Sequence, residues 1–389
     1  MDDTSLPIYI DNHATTRVDP RVMQAMLPFF TETYGNASSV NHAFGWQAAE
    51  AVARARQQVA ELLNAEPRSI VFTSGATEAN NLAIKGTMWA GGQGSHFITN
   101  TAEHRAVLDP AGRLRHAGFE TTLLPVNRLG MVDSQQVADA IRPTTRLVSI
   151  MMANNEVGTV NPVREIGRRC HERNVLFHTD AVQAVGKISV DLSALPVDLL
   201  SLTAHKMYGP KGVGGLYVRR DASRRINLEP LFDGGGHERH LRSGTLAVPL
   251  IVGFGEACAL SAECRERESK RVLQLKEKLF SGLKERLDGI FLNGHPDIRL
   301  PGNLNVSFEG VDGEALMMGL KTIAVSSGSA CTTAEPEPSH VLRAMGVNDV
   351  LTRASLRFGL GRYNTDDDVD AAINEVADVV RRLRNLAGG

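Results

Sequence analysis

Short apolar runs alternate with longer amphipathic stretches over the first two-thirds of the chain. The apolar runs predict β-strands at residues 70–73, 96–99, 121–124, 147–152, 175–178, 199–202 and 215–218. Apolar residues at helical spacing lie between most of these runs and predict helices at residues 78–89, 104–116, 133–141 and 163–173. This alternation predicts the α/β class, with a large, mostly parallel seven-stranded sheet covered by helices.

The remaining third of the chain has a different pattern. A long charged stretch at residues 255–287 is typical of a solvated helix, which we interpret as a bridge between two domains. The strand, helix and strand patterns that follow predict a smaller α+β domain, and two helices are predicted ahead of the sheet. We place a large domain at residues 15–260 and a small domain at residues 1–14 and 261–389. The predicted elements of the small domain are the strands 304–308 and 323–326 and the helix 313–320, and the two helices ahead of the sheet are 20–30 and 46–63.

Composition and charge exclude several classes of function. The 389 residues carry a formal net charge of −2, so the sequence lacks the basic excess that favours nucleic acid or an anionic membrane as a partner. The N-terminus is acidic and lacks the basic and apolar segments of a secretory signal. None of the four cysteines lies in a CxxC pair, which argues against a zinc site or a disulfide framework. We expect a protein of a reducing compartment, the cytoplasm.

Polar clusters follow the predicted strands at their carboxyl ends. Ligands of open parallel sheets bind outside these ends, so we expect the clusters to meet in one crevice. The clusters are residues 74–78, 103–104, 154–156, 180–183 and 203–206.

Lys206 and Asp180 are the strongest candidates for chemistry in this crevice. Lys206 ends an apolar run and precedes a glycine-rich turn, and a lysine of lowered pKa forms a Schiff base with an aldehyde cofactor. A lysine exposed on a loop is the alternative. Asp180 suits the carboxylate that keeps the pyridine nitrogen of a pyridoxal cofactor protonated, although capping of a helix would need the same residue.

Two further clusters have both a structural and a functional interpretation. Residues 74–77 lie between a strand and a helix, where backbone N–H groups and the Thr77 hydroxyl suit a phosphate, although a helix cap uses the same residue types. His104 precedes a helix and could stack on a flat ring or move protons. An isolated histidine is more often structural.

Together, these motifs resemble those of the cysteine desulfurases, which belong to the class V aminotransferase branch of the fold-type I enzymes that use pyridoxal 5′-phosphate. The resemblance covers essentially the whole chain, with the motifs in the expected order. They lie at residues 11–16, 73–78, 103–104, 154–156, 180–183, 205–206, 242–245 and 327–331. The resemblance implies the fold of these enzymes, with pyridoxal 5′-phosphate as the cofactor.

The resemblance also implies a role for each matching residue. Lys206 would bind the cofactor covalently and move the substrate α-proton, Asp180 would pair with the pyridinium nitrogen, and Gln183 would bond the phenolic oxygen. His104 would stack on the ring and act as an acid–base group. Asn155 and Arg357 would orient the substrate, with Asn155 also next to the cofactor. The phosphate would be held by Ala76, Thr77, Thr203 and His205, and Thr245 would reach the phosphate of the neighbouring subunit.

Cys331 distinguishes this interpretation from an ordinary aminotransferase. Glycine, serine and proline surround it and predict a mobile loop. The resemblance implies that the Cys331 thiolate takes the sulfur of L-cysteine as a persulfide, that L-alanine leaves, and that an acceptor protein then receives the sulfur. The sequence around Cys331 is similar to that of the subgroup that serves iron–sulfur cluster assembly. A homodimer is implied, with active sites built from both subunits.

Three alternatives remain open at this stage. A selenocysteine lyase or a related aminotransferase would share Lys206, Asp180 and the phosphate turn, and a scaffold without activity would keep the fold alone. The residues His237 and His240 have a spacing typical of metal ligands. Because they adjoin residues 242–245, we interpret them as part of a structured loop and expect no permanent metal.

Overall fold

The computed structural model describes residues 6–220, 226–327 and 338–387, so Cys331 lies outside the described residues. The strands are β1 (Ile8–Tyr9), β2 (Ile70–Thr73), β3 (His96–Asn100), β4 (Glu120–Leu124), β5 (Thr145–Ser149), β6 (Leu176–Asp180), β7 (Leu199–Thr203), β8 (Gly214–Val218), β9 (Ile290–Leu292), β10 (Asn303–Phe308), β11 (Ile323–Ala324), β12 (Ser326–Ser327) and β13 (Ser355–Gly359). The helices are α1 (Pro20–Met26), α2 (Pro28–Thr31), α3 (Ala43–Leu62), α4 (Ala76–Gly91), α5 (Arg105–His116), α6 (Ser134–Ala140), α7 (Val163–Glu172), α8 (Val248–Arg286), α9 (Gly313–Gly319), α10 (His340–Ala344), α11 (Asp349–Arg353) and α12 (Asp366–Ala387). Short 3₁₀ helices lie at Pro67–Ser69, Ala204–Lys206 and Glu238–His240.

The large sheet has the strand order β2-β8-β7-β6-β5-β3-β4. Strands β3 to β7 pair in parallel with one another, whereas β8 is antiparallel to both of its neighbours, β2 and β7. The predicted α/β class with a seven-stranded, mostly parallel sheet is therefore confirmed. The carboxyl ends of the parallel strands lie at one edge, where such sheets bind ligands.

Apolar side chains cover both faces of this sheet because alternate residues of a strand point to opposite sides. On β2, Phe72 packs into a core with Val59 of α3 and Phe254 of α8. The adjacent Val71 packs on the other face, in a core that includes Leu82 of α4. The sheet is thus a buried layer between helices, which holds its carboxyl edge in place.

Proline sets two helix boundaries that differ from the predicted ones. The helix predicted at 20–30 is interrupted after Leu27, because Pro28 has no N–H to continue the helical ladder and instead starts α2. The charged helix predicted from residue 255 already begins at Val248. Pro249 lies in the first turn of α8, where a missing N–H costs no helical hydrogen bond.

The second half of α8 is not solvated on all sides, so that part of the prediction was wrong. Val272, Leu275, Leu279 and Leu283 recur at helical spacing and are buried in a second core, together with residues of β10, β13 and α12. The first half of α8 packs into the core of the large sheet. One helix therefore contributes to two cores.

The N-terminal strand lies beside the C-terminal part of the chain. β1 pairs in parallel with β11, and β12 pairs with β13, so the single strand predicted at 323–326 is divided between two sheets. The domain boundaries given above remain a prediction. No helix within the described ranges has an apolar stretch sufficient to cross a bilayer.

Candidate active site

A cleft of about 650 Å³ opens at the carboxyl edge of the large sheet. The structure brings most of the predicted site residues together on its walls, namely Ala76, Thr77, His104, Asn155, Asp180, Gln183, Thr203, His205, Lys206 and Arg357. Thr245 is exposed and does not line this cleft. Cys331 belongs to the part of the chain that is not described. The predicted convergence of the strand ends is therefore present, although the function of each residue remains a prediction.

Lys206 is held at the end of β7 by the 3₁₀ helix Ala204–Lys206. Its Nζ donates hydrogen bonds to the carbonyl oxygens of His13 and Ala14. Burial, together with the nearby Arg357 guanidinium, lowers the pKa of Lys206 to about 8. A substantial fraction of this amine is therefore neutral near pH 8, the form that attacks an aldehyde.

Asp180 is the last residue of β6, and both of its carboxylate oxygens accept hydrogen bonds. Oδ2 accepts from Asn80 Nδ2 at 2.7 Å, and Oδ1 accepts from the Val182 N–H at 3.0 Å. The second contact caps a turn, because the described residues between β6 and β7 form no helix, and the helix cap that was the alternative is therefore not present. The carboxylate lines the cleft.

The N-terminus of α4 faces the cleft without a side-chain cap from the described residues. A Cβ atom built on Gly75 would meet nothing within 4 Å, so open space adjoins the backbone at this turn. Glu78, which would repel an anion here, pairs instead with Arg242 at 2.9 Å. Free helical N–H groups beside a neutralised carboxylate suit a phosphate group.

Two histidines of the cleft are neutral at physiological pH. His104 caps α5 by accepting the Ala106 N–H at Nδ1, at 3.0 Å, and burial lowers its pKa. Because Nδ1 accepts, the proton of the neutral ring is on Nε2. Burial and the nearby Lys206 lower the pKa of His205 to about 4.

Arg357 is buried on β13. Its Nη2 donates to Asp11 Oδ1 and to Ser326 Oγ, both at 2.8 Å, and its Nη1 donates to the Asn155 carbonyl at 3.1 Å. These contacts hold the guanidinium plane beside the cleft, where a planar fork suits a substrate carboxylate.

Sequence reasoning missed several residues that support the site. Asp11 and His13 lie in the motif at residues 11–16, for which no role was predicted, and Asn80 and Lys187 lie in none of the motifs. Lys187 follows Gln183 by four residues, which is one helical turn, and this spacing was the available signal. Asn80 offered no such signal, because its contact with Asp180 spans 100 residues of sequence.

One ring nitrogen of His237 accepts a hydrogen bond from the backbone of the same loop. His237 Nδ1 accepts the Gly244 N–H at 3.2 Å. Among the residues that are described, no cluster of histidine, cysteine, aspartate or glutamate has the geometry of a metal site.

Glu103 is a fully buried carboxyl group next to the site. Its Oε1 accepts hydrogen bonds from the Met151 N–H, at 2.6 Å, and from Asn100 Nδ2. Burial raises the pKa of Glu103 well above its usual value. The folded protein therefore holds this group as a neutral acid at pH values where the unfolded chain ionises it.

We expect Glu103→Gln to make the stability of the protein less sensitive to pH. Both states are protonated below the unfolded pKa of about 4.3. Above it only the unfolded chain releases the proton, so stability is lost as the pH rises toward the folded pKa, by about 1.4 kcal/mol per pH unit. Glutamine keeps the Oε1 acceptor and removes this loss. The Tm of Glu103→Gln should therefore rise relative to that of the wild type from pH 5 to pH 8. A Tm difference that does not change with pH would contradict a neutral Glu103.

Comparisons with known proteins assign this fold and site to a family. The family described as Aminotransferase class-V matches residues 8–372, so the chain belongs to the class V aminotransferases. A cysteine desulfurase IscS of Anaeromyxobacter dehalogenans is 55% identical over 98% of this chain and 94% of its own length. A mitochondrial cysteine desulfurase of Arabidopsis thaliana is 53% identical over 98% of this chain and 84% of its own length. Within the class V family, the chain belongs to the cysteine desulfurases.

Solved structures support the same assignment. A NifS-like protein superposes with a TM-score of 0.90 at 38% identity and covers 97% of this chain and 100% of its own. A structure described as SspA in complex with cysteine has a TM-score of 0.81 at 38% identity, and covers 92% of this chain and 100% of its own. The resemblance stated from the motifs is thereby confirmed. Use of pyridoxal 5′-phosphate as the cofactor is a general property of the family.

Proposed function

We propose that the chain binds pyridoxal 5′-phosphate and converts L-cysteine to L-alanine, with transfer of the sulfur to Cys331 as a persulfide. One observation carries the proposal: the partly buried Lys206 and the carboxylate of Asp180 line one cleft with the open N-terminus of α4. The identity of 55% to a cysteine desulfurase over nearly the whole chain supports this function.

The residues of the cleft fit the cofactor group by group. The uncapped N–H groups of α4, with Ala76, Thr77, Thr203 and His205, would hold the phosphate. Asp180 would face the pyridine nitrogen, and Gln183 would face the phenolic oxygen. When bound, pyridoxal 5′-phosphate supplies an electron sink for the charge that develops when the substrate α-proton leaves.

Lys206 and His104 would move protons beside the cofactor. The Lys206 amine, with a pKa of about 8, can take a proton from the substrate α-carbon and release it again within the same pH range. The neutral His104 would stack on the ring and exchange a proton through Nε2. Arg357 and Asn155 would fix the substrate carboxylate, and the structure described as SspA in complex with cysteine supports cysteine as the substrate.

The sulfur would leave the site on Cys331 and pass to an acceptor protein. We propose an iron–sulfur scaffold protein as the acceptor, as the motif around Cys331 implies, and a cytoplasmic location for the reaction. The acceptor determines the pathway that the sulfur enters.

A homodimer is the proposed assembly. Leu27, Phe30, Tyr34 and Trp46 lie close together in sequence, and each exposes more than half of its surface. Large apolar side chains that are exposed in this way mark surfaces for association. Thr245 is exposed outside the cleft of its own chain, as a residue that serves the phosphate of a neighbouring subunit must be.

Cys331→Ala tests the proposed function. Purified protein with pyridoxal 5′-phosphate should release alanine from cysteine and carry a persulfide on Cys331. The variant should lose the persulfide and release alanine about 10²-fold more slowly, because the nucleophile that accepts the sulfur is gone. Alanine is measured by amino-acid analysis and the persulfide by alkylation and mass spectrometry.

Cys264→Ala is the matched control, because it removes a buried thiol of α8. It should keep both products. Unchanged alanine release by Cys331→Ala with an added thiol acceptor would remove Cys331 from the mechanism. If Cys331→Ala released alanine from selenocysteine at the rate of the wild-type protein, a selenocysteine lyase would be favoured.

A further inference from the structure

The side-chain amide of Gln183 has a fixed orientation. Its Nε2 donates to the carbonyl oxygen of His13 at 2.9 Å, and its Oε1 accepts from the Lys187 amine at 2.8 Å. Exchanging the two amide atoms would place the Gln183 oxygen 2.9 Å from the His13 carbonyl oxygen. Both of these oxygens only accept, so that arrangement is repulsive, and this contact determines which amide atom is the oxygen.

The same amide oxygen determines the tautomer of His13. His13 Nδ1 lies 2.9 Å from Gln183 Oε1, and since this oxygen only accepts, Nδ1 must carry the proton. The Lys187 amine is further from the same nitrogen, at 3.4 Å. Burial lowers the pKa of His13 well below its usual value, so the ring is neutral. The deprotonated Nε2 is then an acceptor, and it has no partner among the described residues.

A count of the bonds of Gln183 leaves one donor free. Its oxygen has two lone pairs, which His13 and Lys187 occupy, and one of its two N–H groups is bonded to the His13 carbonyl. Gln183 lines the cleft. The second N–H is therefore free to donate a hydrogen bond to a group that binds in the cleft.

We propose that Lys187 and His13 are positioning residues that fix the Gln183 amide so that its free N–H donates to the phenolic oxygen of the cofactor. This inference rests on the proposed function, because it needs pyridoxal 5′-phosphate in the cleft. Lys187 and His13 act through Gln183 in this arrangement.

The position of Lys187 supports such a role. Its side chain is partly buried beside Gln183, and it lines a small cavity of about 40 Å³ with His13 and Tyr208. Burial lowers the pKa of Lys187 well below its usual value. Its carbonyl oxygen accepts from Ser269 Oγ of α8 at 2.6 Å, which anchors the backbone of this turn. A lysine amine is rarely buried unless it has a specific partner, and here that partner is Gln183.

Lys187→Met tests the proposal through the absorbance of the bound cofactor. A donor to the phenolic oxygen stabilises its anionic form, so loss of the donor should move the pH titration of the absorbance to higher pH, by about half a unit or more. Cofactor affinity should fall about fivefold, which corresponds to one hydrogen bond. Both are measured by spectroscopic titration of the protein with pyridoxal 5′-phosphate.

A double-mutant cycle separates action through Gln183 from a general effect of charge. In a Gln183→Ala background, Lys187→Met should add no further shift, because the amide that it positions is absent. Additive shifts in the two backgrounds would overturn the proposal. Lys276→Met is the control, since Lys276 is a buried lysine of α8 that does not line the cleft and should leave the titration unchanged.

The outcome also distinguishes the proposal from the function on which it rests. If the wild-type protein binds no pyridoxal 5′-phosphate, the proposed function fails. If it binds the cofactor and Lys187→Met titrates as wild type does, this inference alone fails. His13→Leu provides a second variant in case Lys187→Met does not fold, and it should shift the titration in the same direction.

Discussion

Replacing Lys206 with alanine is expected to lower kcat/KM for alanine formation from cysteine by about 10⁴-fold or more. The amine is both the proposed attachment point of the cofactor and the proposed base for the substrate α-proton, so one substitution removes two functions. The wild-type protein should gain an absorbance band at roughly 400 nm with pyridoxal 5′-phosphate. After reduction with borohydride, mass spectrometry should find the cofactor on Lys206, and the variant should carry none.

The fold should survive this change, because removal of the amine also removes the cost of burying it beside Arg357. Lys211→Ala is the matched control: Lys211 lines the same cleft but is exposed. It should keep covalent attachment of the cofactor and most of the activity. Covalent cofactor in Lys206→Ala, on any other lysine, would show that the attachment site is assigned wrongly.

The sequence was sufficient for features that depend on local pattern. Lys206 and Asp180 each follow an apolar run. An apolar run predicts a strand, and the polar residue that follows it is then expected at the carboxyl edge of the sheet. The strand order was not predictable, because β2 lies next to β8, from which it is separated by 140 residues of sequence. Pairing over such a separation depends on the packing of the whole sheet.

Residues that support the site depend on contacts between distant segments. The bond between His13 and Gln183 spans 170 residues, and the pair of Arg357 and Asp11 spans 346. A pattern of neighbouring residues carries no information about either contact. The environment of Arg357 has the same origin, because its guanidinium contacts Asp11 and Asn155, which are distant in sequence.

The beginning of α8 shows a further limit of pattern. The helix was predicted to begin at residue 255, yet it also runs through Pro249 and Gly253, which are residue types that disfavour a helix. Gly253 and Gly255 are needed for close packing, since a Cβ on Gly255 would lie 2.6 Å from the Cα of Ala55. Tertiary contact between α3 and α8 therefore outweighs the low helix propensity of glycine.

Asp180→Asn is expected to lower kcat/KM by about 10³-fold while the protein keeps its fold. Asparagine has the size of aspartate but no negative charge, so it cannot keep the pyridine nitrogen of the cofactor protonated, and the ring accepts electrons less well. The new amide can be accommodated because Asn80 Oδ1 is buried without a partner among the described residues. If the Asn80 side chain rotates, this oxygen can accept from the asparagine at position 180, which replaces the present 2.7 Å bond.

Asn80→Ala separates the charge of Asp180 from its hydrogen bond. This variant removes the bond to Oδ2 but keeps the carboxylate, so kcat/KM should fall by less than about tenfold, the value of one hydrogen bond. Cofactor binding, followed by absorbance, should persist in both variants, because neither substitution changes the proposed phosphate site at α4. If Asp180→Asn bound the cofactor and kept activity within about threefold of wild type, the charge at this position would not be needed, and another group in the cleft would have to supply the proton to the ring.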